Sequence, residues 1–431
     1  MTRGKDNPVV ITGAGMITAL GHSAAQTWEG LISGKGGIRA IEGFDARGFG
    51  CKVAAQVRGL SPEKLALQPK WTRITDLHTY MLLKCSEDAF NQARLGSSSI
   101  AREDIAFFVG MGVVDYKLED LVPAVLASRK SPESIDMGRF FAHGYQQIYP
   151  LFTLAMLNNI SFCLTGIHLG ICGENAVFSP HADAGAHALT EALHALTEER
   201  AKAALAGGVS EKVSAMSLTR AHLTEALNIK AAGEEAPCRP FSSDRAGTVL
   251  GEGCAVLGLE LRARANERNV PYTTAITGYG HAFGSEESAC SPTVDAIEEA
   301  MNKALDVSRL GPSGIDVVIA HGDGTQVGDQ NEIAAIQRVF KASLERITVY
   351  SSKAALGYLL AAAPAVDALI GRSVLEHQII PPVLPQVVDG LPFYVVGGTP
   401  VRRSCRRAMV NCRSSQGQSA SLILEKLTAT G

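Results

Sequence analysis

The feature that most constrains this chain is that it echoes itself: four segments of the first half return in the second, in the same order and at comparable spacing. PVVITGAGMITALG (8–21) resembles YTTAITGYGHAFG (272–284), each a β-rich run closed by a Gly-x-Gly turn. EDIAFFVGMGVV (103–114) resembles GIDVVIAHGDGT (314–325), apolar strands running into glycines. NAVFSPHADAGAHALTEALHAL (175–196) resembles ITVYSSKAALGYLLAAAPAVDALIG (347–371), strands feeding small-residue helices. AKAALAGGVSE (201–211) resembles CRRAMVNCRSS (405–415), a strand ending in a turn. One such match carries little weight, but four in one order argue for a duplicated unit. Short apolar strands alternate with helical patterns such as ALTEALHALTEERAKAA and AIEEAMNKALD, so each half is expected to be a β-α-β-rich layered α/β unit. The length of 431 residues suits two fused units. The expected division is 1–255 and 256–431, with its seam in the Gly-, Pro-, Ser- and charge-rich stretch 228–253. Residues 115–150 read as an insertion in the first half, of the kind that shapes sites or interfaces.

Charge narrows the function. Basic and acidic residues nearly cancel, 40 against 43, with no long run of either sign, so no nucleic-acid face or anionic membrane surface is expected. The one local excess, Arg402, Arg403, Arg406 and Arg407, reads either as a solvated edge or as a docking patch for an acidic partner. Nine cysteines (51, 85, 163, 172, 238, 254, 290, 405 and 412) are odd in number, scattered and never in a C-x-x-C pair. That favours reduced thiols over a disulfide framework or a zinc site. No apolar run reaches the ~18 residues of a membrane span, and the N-terminus shows no long apolar h-region, so a soluble cytoplasmic protein is expected. The Gly-x-Gly at 13–15 is not read as a dinucleotide fingerprint. Its third small residue is missing, and no acid closes an apolar strand about twenty residues later.

The stretch SPHADAGAHALTEALHAL (179–196) reads as a strand ending at a sharp turn into an amphipathic helix, a place where many enzymes mount a nucleophile. The turn holds Pro180, His181, Ala182 and Asp183, and no nucleophile. His181 and Asp183 make a poor acid–base pair, because alternating residues at a turn rarely point at one atom.

These motifs together resemble the β-ketoacyl-ACP synthases of the thiolase fold. VVITGAGMITALG is similar to their opening strand and turn, ICGENAVFSPHADAGAHAL to their nucleophile elbow, and RPFSSDRAGTVLGEG to their mid-chain signature. AHGDGTQVGDQNE and VYSSKAALGYLLAAAPAVDAL are similar to their two later active-site segments. The resemblance spans nearly the whole chain and implies duplicated halves layered α-β-α-β-α. It also implies a chemistry that needs a thiolate, two histidines and oxyanion-binding N–H groups.

Mapped by that resemblance, the nucleophile position is Ala182, followed by the retained Gly185 and His187. The first histidine is kept as His321, although Asp323 stands where a threonine is expected. The lysine is kept as Lys353, but the second histidine position is Tyr358, whose phenol is a poor substitute for imidazole. The glycine- and phenylalanine-rich gating loop falls on NCRSSQGQSAS (411–421), with Ser415 in place of the gating aromatic. His321 is therefore expected to be a structural histidine, Lys353 to pair with Asp329 or Glu332, and Tyr358 to plug the pocket. The resemblance implies a non-condensing ketosynthase-like subunit, similar to the chain-length factors of type II polyketide and aryl polyene synthases. It implies an active ketosynthase as heterodimer partner across the NAVFS strand, and an acyl carrier protein whose phosphopantetheine carries the substrate. No cofactor of its own and no metal are expected. Many such factors carry glutamine at the nucleophile position, where this chain has Ala182. The other readings are a malonyl-ACP decarboxylase using His321, Lys353 and Tyr358, and a homodimeric scaffold for acyl groups or carrier proteins.

Overall fold

The computed structural model describes residues 7–65, 71–72, 74–115, 118–179, 181–224, 226–231, 233, 236–284, 291–383 and 390–427. Pro180 and Cys290 lie outside them. The strands that matter are β1 (Val9–Thr18), β2 (Ile105–Met111), β3 (Asn175–Phe178), β4 (Ala203–Val209) and β5 (Gly253–Leu261) in the first half. The second half has β6 (Thr274–Phe283), β7 (Val317–Ile319), β8 (Thr348–Tyr350), β9 (Tyr394–Val395), β10 (Arg407–Arg413) and β11 (Gln418–Lys426). Five helices recur below: α1 (Leu77–Gln92), α2 (Ala184–Thr197), α3 (Val294–Ser308), α4 (Gln326–Phe340) and α5 (Ala363–His377).

The duplication is visible in the pairing. In the first half β3, β2 and β4 run parallel, then β5 and β1 follow antiparallel. In the second half β8, β7 and β10 run parallel, then β11 and β6 follow antiparallel. Each of the four sequence echoes therefore occupies the same place in its own half. The halves join where Val9 and Val10 of β1 pair with Ile276 and Ala275 of β6, giving one eleven-stranded sheet. β5 belongs to the first half by its pairing with β1 and β4, so a division after residue 255 runs through a strand.

Alternate residues of each strand feed different cores, as the two-residue period of a strand requires. On β2, Phe107 and Val109 face a core shared with α1, whereas Ala106 and Phe108 face the central one. On β10, Ala408 and Val410 join the central core and Met409 an outer one that includes α3 and α4 residues. α2 and α5 fill the middle, and α5 touches strands of both halves. The layers are helix, sheet, helix, sheet, helix. Strands covered on both faces read as unbroken apolar runs rather than alternating ones, as β2 and β7 do.

The Gly-x-Gly repeats are packing devices. A Cβ on Gly13 or Gly15 would lie 2.1 and 2.0 Å from the carbonyl oxygens of Ala89 and Cys85, successive turns of α1. A Cβ on Gly278 or Gly280 would lie 2.3 and 2.2 Å from those of Ala304 and Ala300 on α3. Both strands also carry a register break at the first of these glycines. The helices thus rest directly on strand backbone, which only glycine permits. Gly15→Ala should lower stability by about 1–3 kcal/mol through overpacking, read as an earlier midpoint in denaturant unfolding. An unchanged midpoint would remove this account of the motif.

Candidate functional site

The carboxyl ends of the parallel strands converge. Ala182 lies between β3 and α2, His321 follows β7, Lys353 follows β8, and Arg413 ends β10. Ala182 is 1% exposed and packs with Ala186, Tyr358, Cys412 and Ala420. The two halves therefore meet at the residue that stands where a nucleophile would. Asp183 pairs with His187 Nε2 at 3.2 Å, one helical turn along, rather than with His181.

Cys412 donates from Sγ to the Ala182 carbonyl oxygen at 3.2 Å, so this pocket does contain a thiol. Burial, reinforced by the Asp183 carboxylate, pushes its pKa well above the ordinary thiol value. It stays protonated, and the nucleophilic form is the thiolate. Nothing in the spacing of nine scattered cysteines distinguished it.

His321 is 1% exposed. Its Nδ1 accepts the backbone N–H of Arg413 at 3.3 Å, while Nε2 sits 3.6 Å from Asp323 Oδ2. Tyr358 meets the imidazole edge to face, centroids 5.0 Å apart, and its hydroxyl donates to the Arg413 carbonyl oxygen at 3.4 Å. Burial pushes the His321 pKa down to about 4, so the ring is neutral at physiological pH. Burial opposes the charge on Asp323, yet the Arg413 guanidinium and His321 hold its pKa well below the ordinary carboxylate value.

Arg413 is the centre of the site and was not singled out from sequence. Its Nη2 donates to Asp323 Oδ1 at 2.8 Å and to Asp329 Oδ1 at 2.9 Å, and Nε lies 3.7 Å from Glu332 Oε2. Gly328 makes room for it: a Cβ there would meet the guanidinium at 1.8 Å. Asp329 and Glu332, on α4, also staple the loop after β7. Glu332 accepts the N–H groups of His321 and Gly322, each at 2.8 Å, and Asp329 accepts those of Asp323, Gly324 and Phe241. Burial and the Asp323 charge raise the Asp329 pKa to about 7.

This corrects the expected partner of Lys353. The two α4 carboxylates are occupied by the loop and Arg413, and Lys353 Nζ instead pairs with Asp367 on α5, both side chains at most 2% exposed. Asp367 also accepts the Ser352 hydroxyl at 2.6 Å. The lysine is thereby held against a helix rather than directed at an acyl group. Ser415 sits, partly buried, in a tight turn between β10 and β11. There the N–H groups of Ser414, Gln416 and Gly417 are all consumed within the turn, by Gln418 O, Ser414 Oγ and Ser414 O. Those three cannot serve as donors to an oxyanion.

Two family models match: the β-ketoacyl synthase N-terminal domain over residues 6–265 and its C-terminal domain over 273–386. The chain belongs to the β-ketoacyl synthase family. Within that family it is 26% identical to 3-oxoacyl-[acyl-carrier-protein] synthase 2 of Coxiella burnetii over 379 residues, 87% of each chain. Its fold is similar to that of the ishigamide ketosynthase/chain length factor, with a TM-score of 0.83 at 24% identity, covering 98% of this chain and 100% of the other. It is also similar to a chain in the structure of a ketosynthase in complex with its chain length factor from Xenorhabdus doucetiae (TM-score 0.79, 20% identity, 99% and 100% covered). This family member keeps the scaffold and fills the centre of its site with Tyr358, a protonated thiol and a buried arginine. Among the described residues, no cluster of histidine, cysteine, aspartate and glutamate is arranged to hold a metal ion, and no helix is long and apolar enough to cross a membrane.

Proposed function

We propose that this chain is a non-condensing ketosynthase-like subunit that pairs with an active ketosynthase and walls part of its acyl tunnel. The observation that carries this reading is Ala182, buried against Tyr358 and Cys412 at the point where the scaffold would present a nucleophile. Without a side chain that can take an acyl group, the growing chain is held by the partner's cysteine. Malonyl units then arrive on the phosphopantetheine of an acyl carrier protein, and no cofactor of this chain takes part.

The surface supports a partner. β3 is the edge of the sheet, paired through β2 on one side only, and its outer N–H and C=O groups form a template for a strand of a second subunit. The segment expected as an insertion folds as short helices and a separate two-stranded hairpin, Arg129–Ser131 with Ser134–Ile135. Eleven of the seventeen exposed large apolar side chains among the described residues fall between 122 and 167, including Leu126, Phe141, Tyr145 and Ile167. Exposed apolar surface concentrated in this way marks an interface.

One observation favours a decarboxylase instead: His321 Nε2 is buried without a hydrogen-bond partner among the described residues. The two readings separate by experiment. Co-expression with an intact ketosynthase and carrier protein, followed by native mass spectrometry, should give a stable 1:1 heterodimer that Val177→Pro in β3 abolishes, while the chain alone releases no carbon dioxide from malonyl-carrier protein. Carbon dioxide release that vanishes in His321→Ala would establish the decarboxylase, and a homodimer indifferent to every ketosynthase would establish a scaffold.

A further inference from the structure

The basic cluster divides in three dimensions. Arg403 turns to Thr348 and the Arg346 carbonyl, while Arg406 and Arg407 line a cleft at the seam between the two sheet halves. The cleft has a volume of about 530 Å³, within the range of roughly 300–1,000 Å³ of small-molecule sites. Its walls come from the start of β1, the start of β6, the end of β11 and the last turns of α2 and α3. It lies at the opposite end of the sheet from Ala182. β10 runs from Arg407 in the cleft to Arg413 in the site, about 20 Å at the usual strand rise.

The lining holds four arginines, Arg262, Arg309, Arg406 and Arg407, against one carboxylate, Glu425, which leaves three positive charges. Glu425 Oε1 is shared by Arg407 at 2.7 Å and Arg406 at 3.3 Å. Arg262 and Arg309 have no ion pair among the described residues. Arg407 Nε is buried without a hydrogen-bond partner among them, although the neighbouring Nη2 is satisfied. The other wall is apolar, formed by Val9, Leu193, Ile276, Leu310 and Leu427. Guanidinium groups offer planar forks that fit phosphate oxygens in pairs, and an unpaired buried donor is costly until an acceptor arrives.

We propose that this cleft binds an organic phosphate, a phosphate or pyrophosphate head on an apolar or planar body, at a site separate from the acyl pocket. The head lies among the four arginines and the body against the Leu193–Ile276–Leu310 wall. Such a ligand bridges the two halves where β1 pairs with β6. The chemistry is shared by lipid phosphates and nucleotides, and the probes separate them.

Isothermal titration of the full chain, in the assembly in which it purifies, would use decyl phosphate, ADP and inorganic pyrophosphate. Decyl phosphate or ADP should bind with a Kd below roughly 1 mM and at least tenfold tighter than pyrophosphate. A preference for decyl phosphate identifies a lipid phosphate, and a preference for ADP a nucleotide. Arg262→Ala with Arg309→Ala should weaken the preferred probe at least tenfold, with an unchanged melting temperature showing that the fold is intact. The proposal is overturned if neither organic probe saturates, if pyrophosphate binds as tightly as both, or if the double variant binds like the parent. Arg406→Ala supplies a second test for the case in which the double variant does not fold, with the same tenfold loss expected and an unchanged affinity counting against the site.

Discussion

Arg413→Ala should destabilise the chain by about 3–5 kcal/mol, the range found when one partner of a buried ion pair is removed. The substitution leaves Asp323, Asp329 and Glu332 sharing one enclosed volume, with Asp323 and Asp329 losing their direct guanidinium partner. The same carboxylates hold the loop that carries His321, so the site should loosen with the fold. The deficit has a direction with pH. Asp329 is raised to about 7 in the folded chain even with the arginine present, so between about pH 4 and 7 this carboxyl keeps in the folded state a proton that it has released in the unfolded state. A raised folded pKa favours the folded state in acid and that advantage is lost as pH rises; removing the cation raises the Asp329 pKa further and lifts the restraint that holds Asp323 low. The variant should therefore be least impaired near pH 5 and most impaired near pH 8, measured by denaturant midpoints across that range. Arg413→Lys, which restores charge without the fork, should fall between the two. A variant as stable as the parent at pH 8 would show that the network is not a structural tie.

Ala182→Cys should fail to restore condensation. A thiol at 182 would enter a space already held by Tyr358, Cys412 and Ala186, where burial keeps even the present thiol protonated. His321 is neutral there, and its Nδ1 is engaged by the Arg413 backbone. The turn that would supply an oxyanion donor has used three of its N–H groups internally, and losing one such donor alone costs about 10²–10³ in rate. Intact-protein mass spectrometry after incubation with an acylated carrier protein should show no acyl adduct, and a condensation assay no product. Adding Tyr358→His should open space at 182 and allow slow alkylation by iodoacetamide, still without turnover. A single Ala182→Cys variant that becomes acylated and elongates malonyl units would mean that the pocket is poised for catalysis after all.

The repeated strand motifs read out the architecture because their signals are local. A β-rich run with Gly-x-Gly, an apolar strand ending in glycines, and a small-residue helix each announce themselves within a dozen residues, although the Gly-x-Gly expected to close its strand as a turn lies inside the strand. Their doubling marked two matching halves, while the order of strands within each half came from the pairing. Ala182 and Tyr358 were legible for the same reason, since a motif names its missing member. The expectations about partners fared differently. Lys353 was assigned to the acids of HGDGTQVGDQNE by nearness in sequence, but those acids turn back to the N–H groups of their own loop and to Arg413.

Thus the sequence alone determined the duplicated α/β scaffold, the membership of a ketosynthase-like family and the absence of a nucleophile at 182. Tertiary structure alone decided what took the nucleophile's place. Arg413 reaches Asp323 and Asp329 across 90 and 84 residues, and Cys412 reaches Ala182 across 230. Burial then kept His321 and Cys412 neutral, while the Arg413 guanidinium and His321 kept Asp323 ionised against burial. A side chain's chemistry is written in its identity, but its proton and its partner depend on desolvation and on neighbours that only the closed fold brings within a few ångströms.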